Sequence, residues 1–524
     1  MPLLARIGLA LAAALAAAAL AVFVLLLGAG GTAAPQWDYI GRVLAFTFHQ
    51  ALLSTLLALL AAVPVTRALA RRADFPGRSL LIRLCALPLV MPTIVGIFGV
   101  VAVYGGNGYL AATVGAFGLD WRPGIYGLAG ILIAHVFFNL PLAIRLLLPA
   151  YAAVPAETWR LAAQLGMKGG DVLRVIEWPL LRQRLPAVAL VVFMLCFSTF
   201  AVALTLGGGP RATTLEVAIY QALRFDFDLH LGAVLALIQA ACCAAGAWAI
   251  WHLGRDMALG QTARLVAPRF DGQGRMARLA DAVAIILGTL FVAMPLVALV
   301  QRGLAGLPAA AAPASLMRAA LVSLALGLGG GLLATFIGYA LASARQAALA
   351  ASRRYLAMLL ALIGRLGLFV SPMVIGTGIF LAASGHLDLY RLAAIGVIGL
   401  SAIMALPFVL SVLEPALSDS AARHDRLCRA LGIHGWHRFR AVDWPTLRKP
   451  VATALALSSV LAMGDLGAIA LFGHKDMVNL TLLLYHQLGA YRLDGAAATA
   501  LILMALALLF YWSIERWVGG RELH

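Results

Sequence analysis

Of 524 residues, 63% are hydrophobic and 12% charged, with a mean hydropathy of +0.95, which excludes a soluble globular protein because its outside must face water. The formal net charge of +17 does not describe a nucleic-acid binder, because the basic residues sit in short loops between apolar stretches rather than on one continuous face. Cys85, Cys196, Cys242 and Cys243 fall in apolar runs and Cys428 in a basic loop, without metal-ligand spacing, so they read as small packing residues.

A bilayer core about 30 Å thick takes about 20 apolar residues per helix. On that template the chain supplies twelve stretches: 6–28, 46–67, 80–105, 124–149, 185–206, 231–253, 279–301, 316–343, 355–380, 391–412, 451–473 and 495–515. An all-α polytopic membrane protein is therefore expected. The first stretch follows Arg6 as a signal peptide would, but its apolar run is longer than a usual h-region, and a retained anchor is expected.

The loops set the orientation. One set carries Arg67, Arg71, Arg72 and Arg78, then Arg160, Lys168, Arg174 and Arg182, then Arg255, Arg264, Arg269 and Arg275, and finally a basic group from Arg423 to Lys449. The opposite set is sparse, with Arg42, Arg122, Arg211, Arg302 and Lys475 among its members. The bias is roughly three to one, which the positive-inside rule reads as both termini in the cytoplasm.

A repeat runs through the chain at an offset of 266. "AQLGMKGGDVLRVIEWPLLR" (163–182) aligns without a gap on "RALGIHGWHRFRAVDWPTLR" (429–448), and Leu140-Pro141 falls on Leu406-Pro407. With a one-residue shift "TLEVAIYQAL" (214–223) matches "NLTLLLYHQL" (479–488), and Pro92…Gly96 matches Pro372…Gly376 at an offset of 280. Twelve spans are thus two six-span repeats, 1–254 and 279–524, joined by a basic linker at 255–278. An even span number makes the repeats parallel rather than inverted.

The best-matched part of the repeat is a loop, and loops usually drift. Read as a helix, 157–168 places Glu157, Arg160, Gln164 and Lys168 along one stripe, with Trp159, Ala162 and Gly166 opposite. In the second repeat Arg423, Arg426 and Arg429 make the stripe, with Cys428 and Gly432 on the small face. Small residues would let another backbone approach, and Trp-Pro marks re-entry toward the membrane. Helices lying on lipid headgroups are the plainer reading. Two copies at fixed spacing favour a surface on which a partner docks.

Gly166, Ile176, Trp178 and Pro179, and again Gly432, Val442, Trp444 and Pro445, resemble the EAA loop of ATP-binding-cassette importer permeases. That resemblance implies the type I importer fold and a coupling helix seated on an ATPase subunit. The docking residues it implies are Arg160, Ala162, Ala163, Leu165, Gly166, Ile176 and Pro179, with Arg426, Cys428, Leu431, Gly432, Val442 and Pro445. The sequence departs from the pattern where Glu-Ala-Ala would stand, at Arg160-Leu161-Ala162 and Arg426-Leu427-Cys428. Within the family, "RLCALPLVMPTIVGIFGVVAVYG" (83–105), "LGGGPRATTLEVAIYQAL" (206–223) and "GDLGAIALFG" (464–473) are similar to the thiamine/thiamine pyrophosphate permeases. The resemblance implies a periplasmic binding protein that delivers solute and two copies of a cytoplasmic ATPase that bind ATP and Mg. This chain would be the inner-membrane pathway, itself neither an enzyme nor a cofactor or metal carrier. No G-x-x-x-x-G-K-[ST] loop occurs in it, in keeping with that division. An iron(III)-type importer permease stays open as the alternative.

Ionisable side chains at membrane depth cost a few kcal/mol and point to function. Asp465 in span eleven is the one clear acid, opposite Thr199 in the first repeat; it meets solute in the pathway, lies near the outer interface or pairs with a neighbouring helix. His135 and Asn139 in span four, one turn apart, are candidates for the same pathway but suit interhelical hydrogen bonds better. Gly207-Gly208-Gly209-Pro210 reads as a tight turn. A secondary transporter of the major-facilitator type shares the two six-span halves, but has no paired docking loops and usually keeps several intramembrane acids.

Overall fold

Some of the apolar stretches stay helical throughout and others are divided, two of them next to a proline. The computed structural model describes residues 3–28, 36–72, 74–119, 124–253, 269–310, 313–383, 389–473 and 477–519. Linker residues 255–268, with Arg255 and Arg264, and the loop residues Arg122 and Lys475 lie outside the described residues. The described regular structure is entirely helical.

Stretch 80–105 divides into Arg78–Leu84, Leu87–Val90 and Thr93–Tyr104, and Met91 turns extended where Pro92 disfavours the helical conformation before it. Stretch 355–380 divides in the same manner, into Arg354–Gly364, Leu366–Phe369 and Pro372–Ala383, with Val370 extended. The breaks lie just before the matched prolines, Pro92 and Pro372. Spans five and eleven are also interrupted at matched positions, Trp178–Phe197 being followed by Ala201–Leu206 and Trp444–Met463 by Leu466–Phe472. The second of these pairs bends by 48°. Ten described helices are long and apolar enough to cross a membrane, or eleven with the bent pair counted as one. That agrees with an expectation of about twelve; in stretch 355–380 no single described helix is long enough to be counted, because it is divided into the three shorter pieces.

Trp37–Arg71 runs 35 residues, about 52 Å at 1.5 Å per residue. That exceeds a hydrocarbon core of about 30 Å, so its last turns carry Arg67 and Arg71 past the apolar zone. Leu389–Ala430 is longer still at 42 residues.

Two compact units form, and their boundaries do not follow the repeats. One comprises Met1–Gln36, Glu216–Ala244 and Leu307–His524; the other Trp37–Leu215 and Ala245–Gly306. The first helix of each repeat therefore packs in the unit built mostly from the other repeat. In the first unit Leu3–Gly28 lies on Pro313–Ala350 through the stripe Ala5, Gly8 and Ala12, and a Cβ on Gly8 would collide with the Ala340 carbonyl. In the second unit Arg275–Gly306 packs on Trp37–Arg71 and Thr93–Tyr104.

Candidate docking site

Each matched loop is a helix, a left-handed glycine, a short turn and a widened turn of helix. Helix Leu128–Ala152 ends ahead of Pro155, whose extended backbone starts a separate helix, Ala156–Gln164. In the second repeat Ala421 stands where Pro155 does, and Leu389–Ala430 runs on unbroken into the loop. Both loop helices then stop at a glycine with positive φ, +65° at Gly166 and +64° at Gly432. The Met167 N–H donates to the Ala162 carbonyl at 3.1 Å and Ile433 N–H to that of Cys428 at 2.9 Å, so the turned chain satisfies carbonyls the helix end leaves open. Beyond lie Gly169–Val172 and Gly435–Arg438, then π-turns at Leu173–Glu177 and Phe439–Asp443. Pro179 and Pro445 explain these widened turns. Each lacks an N–H, and its ring would strike the carbonyl four residues back. The preceding Trp178 and Trp444 N–H groups reach five residues back instead, to Leu173 and Phe439.

The orientation of these helices differs from the sequence expectation. Trp159, Ala162 and Cys428 are turned into the protein's own interior and are each 2% exposed. The outward side carries Leu161 and Leu165, matched by Leu427 and Leu431, all more than half exposed. Arg160, Ala163, Gln164 and Arg426 are exposed beside them, as are Pro179 and Pro445; Ile176 and Val442 are partly covered. Lys168 falls off the predicted stripe because Gly166 ends the helix before it. Ala162 and Cys428 thus support the helix from behind, and the leucines form its outward surface.

Within this chain no backbone approaches Gly166 or Gly432, since a Cβ on either would meet nothing within 4 Å. Their requirement is conformational. Alanine at each should cost about 1–2 kcal/mol for holding an L-residue left-handed, read as a lowered thermal unfolding midpoint of the purified protein, with Asn milder than Ala. Unchanged midpoints for both alanine variants would remove the glycine-cap account.

Behind the first loop lies a buried ion cluster that the sequence reading did not foresee. Glu177, fully buried, accepts from Arg67 at 2.6 Å and from Arg269 at 2.6 Å. Arg269 also holds Asp271 at 2.8 Å, and its guanidinium lies 4.2 Å over the ring of Trp159. Asp271 binds Arg71 at 2.9 Å, and Asp281 binds Arg71 and Arg72. Burial opposes ionisation at Asp271, but the guanidiniums of Arg269 and Arg71 outweigh it and hold the carboxyl below its ordinary value. Behind the second loop Arg438 bridges Asp425 at 2.6 Å and Asp443 at 3.4 Å. Glu414 pairs with Arg345 at 3.0 Å and Arg365 at 2.8 Å. The matched acids Glu177 and Asp443, each just before Trp-Pro, were the available sequence signal.

His135 bonds Ser54 at 2.8 Å through Nδ1, and the Asn139 amide donates to the His135 carbonyl and to Cys196 Sγ. Thr199 lies in the break between Trp178–Phe197 and Ala201–Leu206. Asp465 caps Leu466–Phe472 by accepting from Ala468 N–H at 3.2 Å, and its other oxygen accepts from Ser401 at 3.1 Å. Ser401 stands at the position of His135 in the repeat, but the partners are not equivalent, since His135 reaches Ser54 on Trp37–Arg71 and Ser401 reaches Asp465 beyond Trp444–Met463. Asp465 is partly buried, and a second acid of the same unit is buried completely. Glu216, in Leu215–Arg224, is fully buried and bonded to Gln239 at 3.0 Å. It lies in the matched segment 214–223, opposite Thr481, on a short helix between spans rather than in a span.

Residues 334–518 match the family described as the binding-protein-dependent transport system inner membrane component. The chain is 43% identical over 520 residues to a thiamine transport system permease protein of Brucella abortus, covering 98% of this chain and 95% of that one. It is 42% identical to the protein of that name from Escherichia coli, over 92% and 90% of the two chains. The Haemophilus influenzae protein is 36% identical over 93% and 90%.

Proposed function

The chain belongs to the thiamine transport permeases, a family of binding-protein-dependent inner-membrane components, and from that premise we propose how its two matched loops serve transport. The observation that carries the reading is the pair of outward leucine faces, Leu161/Leu165 and Leu427/Leu431, at equivalent positions on loops braced from behind by ion pairs, buried behind the first and partly exposed behind the second. Exposed leucines on a stiffly held helix are suited to seating in an apolar groove of another protein. Each loop docks one copy of a cytoplasmic ATP-binding subunit, and hydrolysis there drives the helices of the permease. Arg160 and Arg426 flank the seat and favour an acidic rim on the partner.

On this reading both termini and both docking loops are cytoplasmic, and a periplasmic binding protein delivers thiamine or its pyrophosphate to the opposite side. The permease supplies the pathway and the docking surfaces, and the ATPase subunits bind ATP and Mg. The test is uptake of labelled thiamine into proteoliposomes holding this chain. Uptake that needs the ATPase subunit, ATP and the binding protein is expected. Uptake driven by a proton gradient on this chain alone overturns the reading, and ATP-dependent uptake of iron(III) but not thiamine overturns the substrate.

A further inference from the structure

The two loops share one architecture with one part supplied from different places. In the second loop a guanidinium, Arg438, joins Asp425 on the loop helix to Asp443 before Trp-Pro. At the offset of 266 these are the positions of Val172, Trp159 and Glu177. Val172 is apolar and fully buried, so the first loop has no guanidinium of its own at that place. Yet a guanidinium bridges the same two points there. Arg269 binds Glu177 at 2.6 Å and lies 4.2 Å over the face of Trp159. It comes from the linker between the repeats, just ahead of helix Arg275–Gly306, and its side chain is fully buried.

We propose that Arg269 is a positioning residue for the first docking helix, doing from the linker what Arg438 does from within the second loop. This rests on the docking role of the loops. Trp159 lies on the inward face of Ala156–Gln164, so a guanidinium clamped between its ring and Glu177 fixes the helix against the π-turn that leads into Trp178–Phe197. A push on Leu161 and Leu165 is then passed to the membrane helix rather than absorbed by bending of the loop. Cation–π contact strengthens when the cation is desolvated, as Arg269 is. Asp271 grips the same guanidinium at 2.9 and 2.8 Å and is itself held by Arg71, which fixes the strut to the end of Trp37–Arg71. Joining two permease repeats in one chain thereby gives the first repeat a part that its own loop lacks.

The full chain is reconstituted with its ATPase partner and binding protein. Arg269→Ala should keep the fold, because Glu177 retains Arg67 and Asp271 retains Arg71. Uptake should fall about tenfold, some 1.4 kcal/mol of lost coupling, while ATP hydrolysis continues. Arg269→Lys should recover little, since an ammonium neither forks onto two carboxylates nor stacks on the ring. Millimolar guanidinium ion should restore part of the Arg269→Ala loss and none of the loss caused by Leu165→Asp. Uptake unchanged in Arg269→Ala, or a loss that guanidinium does not relieve, overturns the proposal. If Leu165→Asp is equally silent, it is the docking role that has failed; if Leu165→Asp uncouples and Arg269→Ala does not, only the strut has.

Discussion

Replacing Leu161 and Leu165 together with aspartate is expected to abolish coupled thiamine uptake while leaving the protein inserted and folded. Both side chains are more than half exposed and make no part of the core, so the change should move folding stability by no more than about 0.5 kcal/mol. At a docking surface the same change places charge in an apolar seat. Central interface residues are each worth about 2 kcal/mol or more, so the pair should weaken docking at that loop about a thousandfold. Leu427→Asp with Leu431→Asp should do the same at the second loop. With either pair alone, a pull-down should recover the ATPase subunit at reduced stoichiometry; with all four, none. This design also separates docking from the plainer possibility that the helices rest on lipid headgroups. A headgroup-bound helix would lose membrane affinity but not ATPase binding, and full ATPase recovery by the four-site variant would remove the docking role.

Much of this was legible in the sequence because the repeat acts as an internal comparison. Loop helix Ala156–Gln164 falls within the expected 157–168 apart from its first residue, and Pro92 and Pro372 stand at the start of the helices that follow the breaks in stretches 80–105 and 355–380. What could not be read was which side of the loop helix faces inward. Trp159 and Ala162 looked like an accessible small-residue face, and spacing alone does not say that a linker guanidinium lies over that tryptophan. The pairing of Glu177 with Arg269 joins residues 92 apart in sequence and depends on where the linker end comes to rest. The interleaving of repeats between compact units was hidden for a related reason. Ala5, Gly8 and Ala12 announce a close-packing face but not its partner, Ala340. Asp465 was legible as an anomaly, and its work as a cap became readable only once the break at Gly464 was located.

Removing Glu177 should destabilise the first loop far more than removing its counterpart Asp443 destabilises the second. Glu177 is fully buried, and with Glu177→Ala the buried end of Arg269 loses one of two carboxylates while Arg67 loses its own. Breaking a buried ion pair from one side costs about 3–5 kcal/mol, because the remaining charge stays desolvated without its partner. Asp443 and Arg438 are each partly exposed, 23% and 30%, and sit 3.4 Å apart, so water can replace the bond. Asp443→Ala should therefore cost no more than about 1 kcal/mol. Hydrogen exchange reads the difference directly. Amides of 156–177 should lose protection in Glu177→Ala, whereas those of 422–443 should hardly change in Asp443→Ala. The buried charge also makes Glu177→Gln informative, since it keeps the shape and loses the charge. If packing around the π-turn were the source of stability, Gln would behave as wild type; if the two guanidiniums need a counter-charge, it should approach Ala. Equal loss of protection in the two loops would mean that their difference in burial carries no energetic weight, and the asymmetry between linker-braced and self-braced loops would fall with it.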